Sequence, residues 1–188
     1  MSSLGNAAGT DKWLQAGIRK GEVMMFDAPV IAPARGLDPA WLDYNGHLNM
    51  AYYNVLFDKG VDHVFEMLGC GPGYLAERNL SFFTAEAHVC YVRELKPDAH
   101  VSVHTRLMDF DAKRIHLFQE LVHVDGWLSA TCEAMLLHID MSGPRTTPMP
   151  DDVIAHVGRM AEAHRDLPRH ERAGRSIGIL RKPTHPTG

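Results

Sequence analysis

The sequence predicts an α+β fold in which a long buried helix lies against one curved antiparallel sheet of about five strands. From Met50 to Leu68 the apolar residues recur every three or four positions, which is the period of a helix. From about residue 82 onward the period becomes two over four separate runs, which is typical of strands with one buried face. These two patterns together predict the fold class.

The predicted helix has recognisable ends. Asn49 is a suitable N-cap and Gly69 a suitable C-terminal stop. The segment is apolar on most of its faces, which indicates that it is buried. Gly60 lies inside it, at a cost of about 1 kcal/mol relative to alanine. We therefore expect another element to pass close to the helix backbone at Gly60.

A first strand is predicted at residues 22–31, before the helix. Four more follow, at residues 86–94, 100–110, 114–124 and 127–139, and the short links between them predict an antiparallel meander. One link contains Asp125-Gly126, the signal of a tight type I′ hairpin turn. One face of the last strand is apolar and mostly small, which suits close packing against the helix: Leu128, Ala130, Cys132, Ala134 and Leu136.

The bulk properties indicate one domain. The chain has 188 residues, and we divide it into an N-terminal arm (1–21), a folded domain (22–141) and a linker, short helix and basic tail (142–188). A net charge of −4 gives no reason to expect nucleic acid, and no apolar run is long enough to span a membrane. The N-terminus lacks a signal peptide pattern, and three widely spaced cysteines suggest reduced thiols in the cytoplasm.

The run "DYNGHLNM" (43–50) carries the chemistry-bearing residues. Asp43 precedes a turn, Gly46 lets the backbone approach a ligand, and the helix begins near Met50. A carboxylate can act as a general base or a nucleophile, and free amides at a helix N-terminus can stabilise an oxyanion. The alternative is that Asp43 only caps its own turn, as aspartate often does.

This run, with Tyr52 and Tyr53 beyond it, resembles the hotdog-fold acyl-CoA thioesterases of the 4-hydroxybenzoyl-CoA type over roughly residues 24–141. The resemblance implies that Asp43 is the catalytic carboxylate and that the amide near Met50 polarises the thioester carbonyl. It implies that His47 and Asn49 brace the turn or contact the substrate. It also implies a homodimer or homotetramer whose sheets pair edge to edge and whose sites each use two chains.

The sequence offers further candidate site residues besides those in the turn. The substrate-binding candidates are Tyr44, Gly46, Tyr52, Tyr53, Thr84 and Glu86. For Tyr52 and Tyr53, packing in the core is the favoured alternative. Because some family members use another carboxylate, Asp58, Glu66 and Glu86 are reserve candidates. The substrate is expected to be a small acyl-CoA. The turn and "AGRSIGILRKP" (173–183) also resemble the betainyl-CoA thioesterases of carnitine breakdown, and aromatic faces could hold a quaternary ammonium.

No metal or other cofactor is expected besides the CoA of the substrate. His100 and His104 share a strand face but would lie about 13 Å apart at ~3.3 Å per residue, too far for one ion. Cys70 is a weaker candidate nucleophile. Phosphates of CoA could contact Arg93, Arg114 or the basic tail.

Two other functions stay open: a hotdog dehydratase or hydratase acting on an acyl thioester, and a non-catalytic acyl-CoA binding protein.

Overall fold

The computed structural model describes residues 25–179, and the predicted helix is its central element. This helix, α1, spans Met50–Leu68. The Asn49 side chain accepts a hydrogen bond from the Ala51 amide at 3.0 Å and so caps the first turn. Gly69 ends the helix with a left-handed backbone conformation (φ 78°). Both predicted helix boundaries are confirmed.

The antiparallel sheet is also confirmed, and within the described residues it has seven strands. Its long strands are β3 (Leu80–Tyr91), β4 (His100–Phe110), β5 (Arg114–His123) and β6 (Leu128–Asp140). Three two-residue strands complete it: β1 (Val30–Ile31), β2 (Arg35–Gly36) and β7 (Arg145–Thr146). The order is β1-β4-β5-β6-β3, with β2 also on β4 and β7 also on β6.

The order of the long strands differs from the predicted meander. β4, β5 and β6 are consecutive neighbours, but β3 pairs with β6 and not with β4. Residues 92–99 therefore cross from one side of the sheet to the other. Residues 96–99 do form the predicted turn, with the Ala99 amide donating to the Lys96 carbonyl. The rest of the link is buried at Leu95, which holds it across the fold.

The helix packs closely on the sheet at Gly60, as predicted. A Cβ at Gly60 would overlap the side chain of Val103 on β4 and would lie 2.8 Å from Nε2 of Gln119 on β5. That buried amide donates to the carbonyl of Phe57 at 3.1 Å and to the Thr105 hydroxyl at 3.2 Å. The small face of β6 lies in the same core. The helix thus sits at a fixed depth over the sheet.

The predicted first strand is mostly wrong. Residues 22–24 lie outside the described residues, and of residues 25–31 only Val30 and Ile31 form a strand. Pro29 has no N–H to give to a ladder. The carbonyl of Asp27 accepts a hydrogen bond from His164 instead of from a neighbouring strand. The predicted N-terminal arm, residues 1–21, also lies outside the described residues.

Two elements between α1 and β4 were not predicted in their observed form. After the glycine- and proline-containing residues 69–72, a second helix, α2, spans Gly73–Arg78. β3 then begins at Leu80 and ends at Tyr91, so it is shifted towards the N-terminus from the predicted 86–94. The hydroxyl of Tyr74 contacts His138 Nε2 at 2.8 Å, which ties α2 to β6. Tertiary contacts therefore stabilise a helix of only 6 residues, which would be too short to be stable alone.

The C-terminal region contains the predicted helix, here α3 (Asp151–His164). The residues after it were expected to be a surface tail, but residues 168–174 pack on the outer face of the sheet, the face turned away from α1. Arg106 donates to the Pro168 carbonyl, His170 stacks on buried Phe118, and the Gly174 amide donates to Glu133. Arg181 and Lys182 of the tail lie outside the described residues.

Candidate active site

The turn before α1 is held by its own carboxylate. Asp43 Oδ1 accepts hydrogen bonds from the amides of Asn45 (2.8 Å) and His47 (3.3 Å), and the Asp43 amide donates to the His47 carbonyl. Gly46 has a φ of 74°, and no atom lies within 4 Å of where its Cβ would be. The glycine is therefore needed for the backbone conformation of the turn. The capping role expected as an alternative for Asp43 is real, but it uses only one of the two carboxylate oxygens.

Asp43 lies in a cavity of about 440 Å³ at the N-terminus of α1. The Asn49 side chain accepts a hydrogen bond from the Ala51 amide, and the Asn49 backbone carbonyl accepts one from the Tyr52 amide. Among residues 25–179 we find no acceptor for the Met50 amide and no donor to Asp43 Oδ2. A carboxylate oxygen and an N–H donor are thus both available here. The lining residues are Asp43, Leu48, Asn49, Met50, Tyr53, Tyr91, Val92, Arg93 and Glu94.

Two tyrosines form one wall of this cavity. Tyr53 is buried and meets Tyr91 edge to face, with ring centroids 5.0 Å apart. The Tyr91 hydroxyl donates to the Met50 carbonyl at 3.2 Å, which fixes the first residue of α1. Burial raises the pKa of both phenols, so they remain neutral near pH 7. Tyr91 was not predicted as a site residue; its only signal was an aromatic near the end of a predicted strand.

The other residues predicted from the turn lie outside this cavity. His47 Nε2 is 3.4 Å from Glu94 Oε1, so His47 contacts a cavity residue without lining the cavity itself. Tyr44 is almost fully exposed, at 97%. Tyr52 stacks on Trp41 with ring centroids 5.5 Å apart. Within one chain the structure therefore brings Asp43, Asn49, Met50 and Tyr53 together, but not Tyr44 and Tyr52.

A second cavity, of about 490 Å³, lies between α1, α2 and the start of β3. Thr84 lines it, as do the reserve carboxylates Asp58 and Glu66. Burial raises the pKa of Asp58, and the neighbouring carboxylate of Asp62 adds to the effect. Cys70 also lines this cavity, but burial raises its pKa to about 12, so it is a protonated thiol and a poor nucleophile.

Glu86 lies in a third cavity, of about 310 Å³, on the outer face of the sheet. Its neighbours there include His116 and Glu133, which are 2.8 Å apart, and residues 174–175 of the C-terminal segment. The predicted residues Thr84 and Glu86 thus line different cavities, on either side of an irregularity in the β3–β6 register. Neither lines the Asp43 cavity of its own chain.

Two further features of the described residues bear on function. Between residues 25 and 179, no group of three or more His, Cys, Asp or Glu side chains is arranged to hold a metal ion. None of the helices in this range combines the length and the hydrophobicity that crossing a bilayer requires.

Comparison with known proteins identifies the family. The model of the thioesterase-like superfamily matches residues 37–157. A betainyl-CoA thioesterase of Pseudomonas aeruginosa is 39% identical over 155 residues, or 82% of this chain and 93% of that protein. An L-carnitine dehydrogenase/betainyl-CoA thioesterase of Ruegeria pomeroyi is 33% identical over 82% of this chain, which matches 31% of that longer protein.

Solved structures are similar over most of the chain. A Staphylococcus aureus protein solved in complex with CoA has a TM-score of 0.74 and 25% identity, covering 85% of this chain and all of that one. A Pseudomonas putida protein solved as a candidate thioesterase has a TM-score of 0.70 and 28% identity, covering 81% and 98%. The chain belongs to the thioesterase-like superfamily, and these matches confirm the prediction of an acyl-CoA thioesterase with the hotdog fold.

Proposed function

We propose that this enzyme hydrolyses a small acyl-CoA to the free acid and CoA, with Asp43 as the catalytic carboxylate. One observation carries the proposal: Asp43 and Met50 line the same cavity at the start of α1, and the Met50 amide has no acceptor among residues 25–179. The Met50 N–H would donate to the thioester carbonyl oxygen and stabilise the charge that develops on it. The positive end of the helix dipole would add to this stabilisation.

Asp43 can act in two ways. As a general base, Oδ2 removes a proton from water while the water oxygen bonds to the acyl carbon and the C–S bond breaks, releasing CoA. As a nucleophile, Oδ2 itself bonds to the acyl carbon, CoA leaves, and water then cleaves the resulting anhydride. The two amides on Oδ1 would hold the carboxylate in place in either case. In a single turnover in ¹⁸O-labelled water, label found in the Asp43 carboxylate by mass spectrometry identifies the nucleophilic route.

We infer at least a homodimer, with a homotetramer as the larger alternative, because one edge of β3 has no partner strand within residues 25–179. In this range β3 pairs only with β6, and residues 83–87 at its middle are exposed. Antiparallel pairing of two β3 edges near residue 85 would place Leu80 of one chain near Tyr91 of the other. The Asp43 cavity contains Tyr91, and the second cavity contains Leu80. The dimer would therefore join the Asp43 cavity of one chain to the second cavity of the other.

We propose an acyl group that carries a quaternary ammonium, such as betainyl. The second cavity has three carboxylates along one side of α1, namely Asp58, Asp62 and Glu66. It also contains the stacked rings of Phe65 and Phe82, with centroids 4.7 Å apart. Carboxylates and aromatic faces both attract such a cation. The 39% identical relative, a betainyl-CoA thioesterase, supports the same acyl group.

The reaction as proposed needs no metal or redox cofactor. The Asp43 carboxylate activates water or attacks the thioester itself, and the Met50 amide stabilises the charge on the carbonyl oxygen. CoA enters only as part of the substrate. We place the enzyme in the cytoplasm, where its three cysteines would stay reduced.

The test is release of free CoA, measured with a thiol reagent, for wild type, Asp43→Asn and Asp38→Asn. Asp38 is a matched control, because its side chain also caps a local turn (2.8 Å to the Ala40 amide) but lies outside the cavity. We expect Asp43→Asn to lose about several hundred-fold or more in kcat and Asp38→Asn to resemble wild type. If Asp43→Asn is as active as wild type, Asp43 is a turn residue and Asp58 and Glu66 become the candidates.

The substrate panel runs from acetyl-CoA through aromatic acyl-CoA to betainyl-CoA. 3,3-Dimethylbutyryl-CoA is the uncharged isostere of betainyl-CoA, so this pair isolates the effect of the positive charge. We expect a higher kcat/KM for betainyl-CoA. Equal values for the pair would overturn the proposed cationic acyl group and leave the hydrolytic proposal intact.

A further inference from the structure

Arg93 is the cationic side chain in the wall of the Asp43 cavity. It follows β3 directly, and its backbone is anchored to β6. The amide of Arg93 donates to the Ser129 carbonyl at 2.9 Å, and the Ser129 hydroxyl donates to the Arg93 carbonyl at 2.8 Å. Ser129 is fully buried. The position of Arg93 relative to the cavity is therefore fixed by the sheet.

The guanidinium is held by an aromatic stack. Its central carbon lies 4.1 Å from the ring centroid of Trp127. The imidazole of His123 stacks on the same indole, with centroids 4.5 Å apart and planes 11° apart. The Trp127 ring therefore contacts both the Arg93 guanidinium and the His123 imidazole. This arrangement restricts the guanidinium while leaving its N–H donors free.

Arg93 has no carboxylate partner among residues 25–179, in contrast to several other arginines of the domain. Arg78 pairs with Asp152, Arg106 with Glu120 and Arg114 with Asp111. Glu94, the neighbour of Arg93, contacts His47 instead. An arginine that is held rigidly at a ligand cavity, with its donors unused, is suited to bind an anion. Arg114, the comparable candidate from the sequence, lines none of the three cavities and has its own carboxylate.

We propose that Arg93, positioned by Trp127, binds a phosphate of the CoA moiety and so orients the thioester towards Asp43. The inference rests on the proposed acyl-CoA substrate. CoA carries a diphosphate and a ribose 3′-phosphate, and a guanidinium fork can bind either one through paired hydrogen bonds. Arg93 then determines specificity for the CoA part of the substrate and not for its acyl group.

The experiment compares wild type, Arg93→Ala, Arg93→Lys and Arg114→Ala by calorimetric titration with free CoA, dephospho-CoA and pantetheine. Steady-state hydrolysis of the acyl-CoA and of the matching acyl-pantetheine is measured in parallel. We expect Arg93→Ala to weaken CoA binding about tenfold to a hundredfold and to raise KM similarly. Its binding and hydrolysis of pantetheine compounds should match wild type. Arg93→Lys should recover part of the loss, and Arg114→Ala should show none.

Each outcome decides a specific point. If Arg93→Ala binds CoA as wild type does, or weakens pantetheine equally, the phosphate assignment is wrong. An Arg93 effect that disappears with dephospho-CoA assigns the 3′-phosphate, and one that persists assigns the diphosphate. If wild type binds CoA in an Arg93-dependent way but hydrolyses no thioester, the proposed function fails and the Arg93 assignment stands. If wild type hydrolyses acyl-CoA and acyl-pantetheine equally well, the assignment fails and the hydrolytic function stands.

Discussion

Gly60 shows how one residue sets the distance between α1 and the sheet. Glycine is unfavourable inside a helix, yet here a Cβ would overlap Val103 and approach Gln119. The amide of Gln119 spans the contact through its bond to the Phe57 carbonyl. The close approach therefore buries a satisfied hydrogen bond as well as apolar surface, and it accounts for a glycine that local propensity disfavours.

Gly60→Ala should destabilise the protein. The added methyl group would force the Val103 side chain or the whole helix to shift, and overpacking of this kind costs about 1–3 kcal/mol. Gly158→Ala in α3 is the matched control, because no atom lies within 4 Å of its Cβ position. It should stabilise by up to about 1 kcal/mol through helix propensity. The measurement is urea unfolding at one protein concentration. Equal stability of the two variants would contradict this account of Gly60.

At the scale of elements, two buried histidines connect helices to the sheet. His164, at the end of α3, accepts the Leu107 amide at Nδ1 (2.9 Å) and donates from Nε2 to the Asp27 carbonyl (2.8 Å). His138 on β6 contacts the Thr147 carbonyl and the Tyr74 hydroxyl. Burial lowers the pKa of both histidines. Each is therefore neutral in the folded chain, with both ring nitrogens in use.

Stability should consequently fall as the pH drops below about 6.5, the ordinary histidine pKa. The unfolded chain binds protons there that the folded chain excludes, so each such histidine lowers the unfolding free energy by up to about 1.4 kcal/mol per pH unit. Above that pH their contribution is complete. Urea unfolding at pH 7.5 and 5.5 measures the loss, which should be smaller in His164→Gln than in wild type. His63→Gln is the control, since that imidazole has no hydrogen bond within residues 25–179. An unchanged loss in His164→Gln would contradict the assignment.

At the scale of the whole molecule, the proposal of a site shared by two chains depends on β3. Its exposed edge lies between the Asp43 cavity at one end and the carboxylate-lined cavity at the other. An edge strand of this length is a template for pairing with another chain. On the outer face, by contrast, residues 168–174 cover Phe118 and engage Arg106 and Glu133. The β3 edge is therefore the surface that we expect to join two chains.

Ala85→Pro tests that expectation. The β3–β6 register passes from Thr84 to Glu86 and leaves Ala85 without a partner on β6, so proline should spare the ladder within the chain. It should block pairing between two β3 edges. We expect light scattering to show a dimer or tetramer for wild type and a monomer for the variant. Thioesterase activity should fall when the assembly is lost, because the Asp43 cavity of one chain would separate from the second cavity of the other. A variant that keeps its assembly, with unchanged circular dichroism, would place the interface elsewhere.

Several features of this protein are determined by the sequence alone. The limits of α1, the positions of β4, β5 and β6, and the turn at Asp43 were all predictable. Each depends on nearby residues: Asn49 and Gly69 cap the helix, and Gly46 permits the positive φ of its turn. The hairpin at Asp125-Gly126 forms where it was predicted, but only Gly126 of the pair has a positive φ (85°), so the turn is not the predicted type I′. Periodicity also shows which face of each element is buried, because the hydrophobic effect favours burial of an apolar face regardless of which element covers it.

Only the tertiary structure decided which elements are neighbours. Periodicity cannot distinguish β6 from β4 as the partner of β3, and α2 exists because Tyr74 and Arg78 find partners far along the chain. That arrangement creates the Asp43 cavity and the second cavity, and it brings Tyr91 to Met50. It also places Arg93 on Trp127, whereas Arg114 pairs with Asp111. These contacts join residues distant in sequence, so their energies leave no local pattern from which they could be predicted.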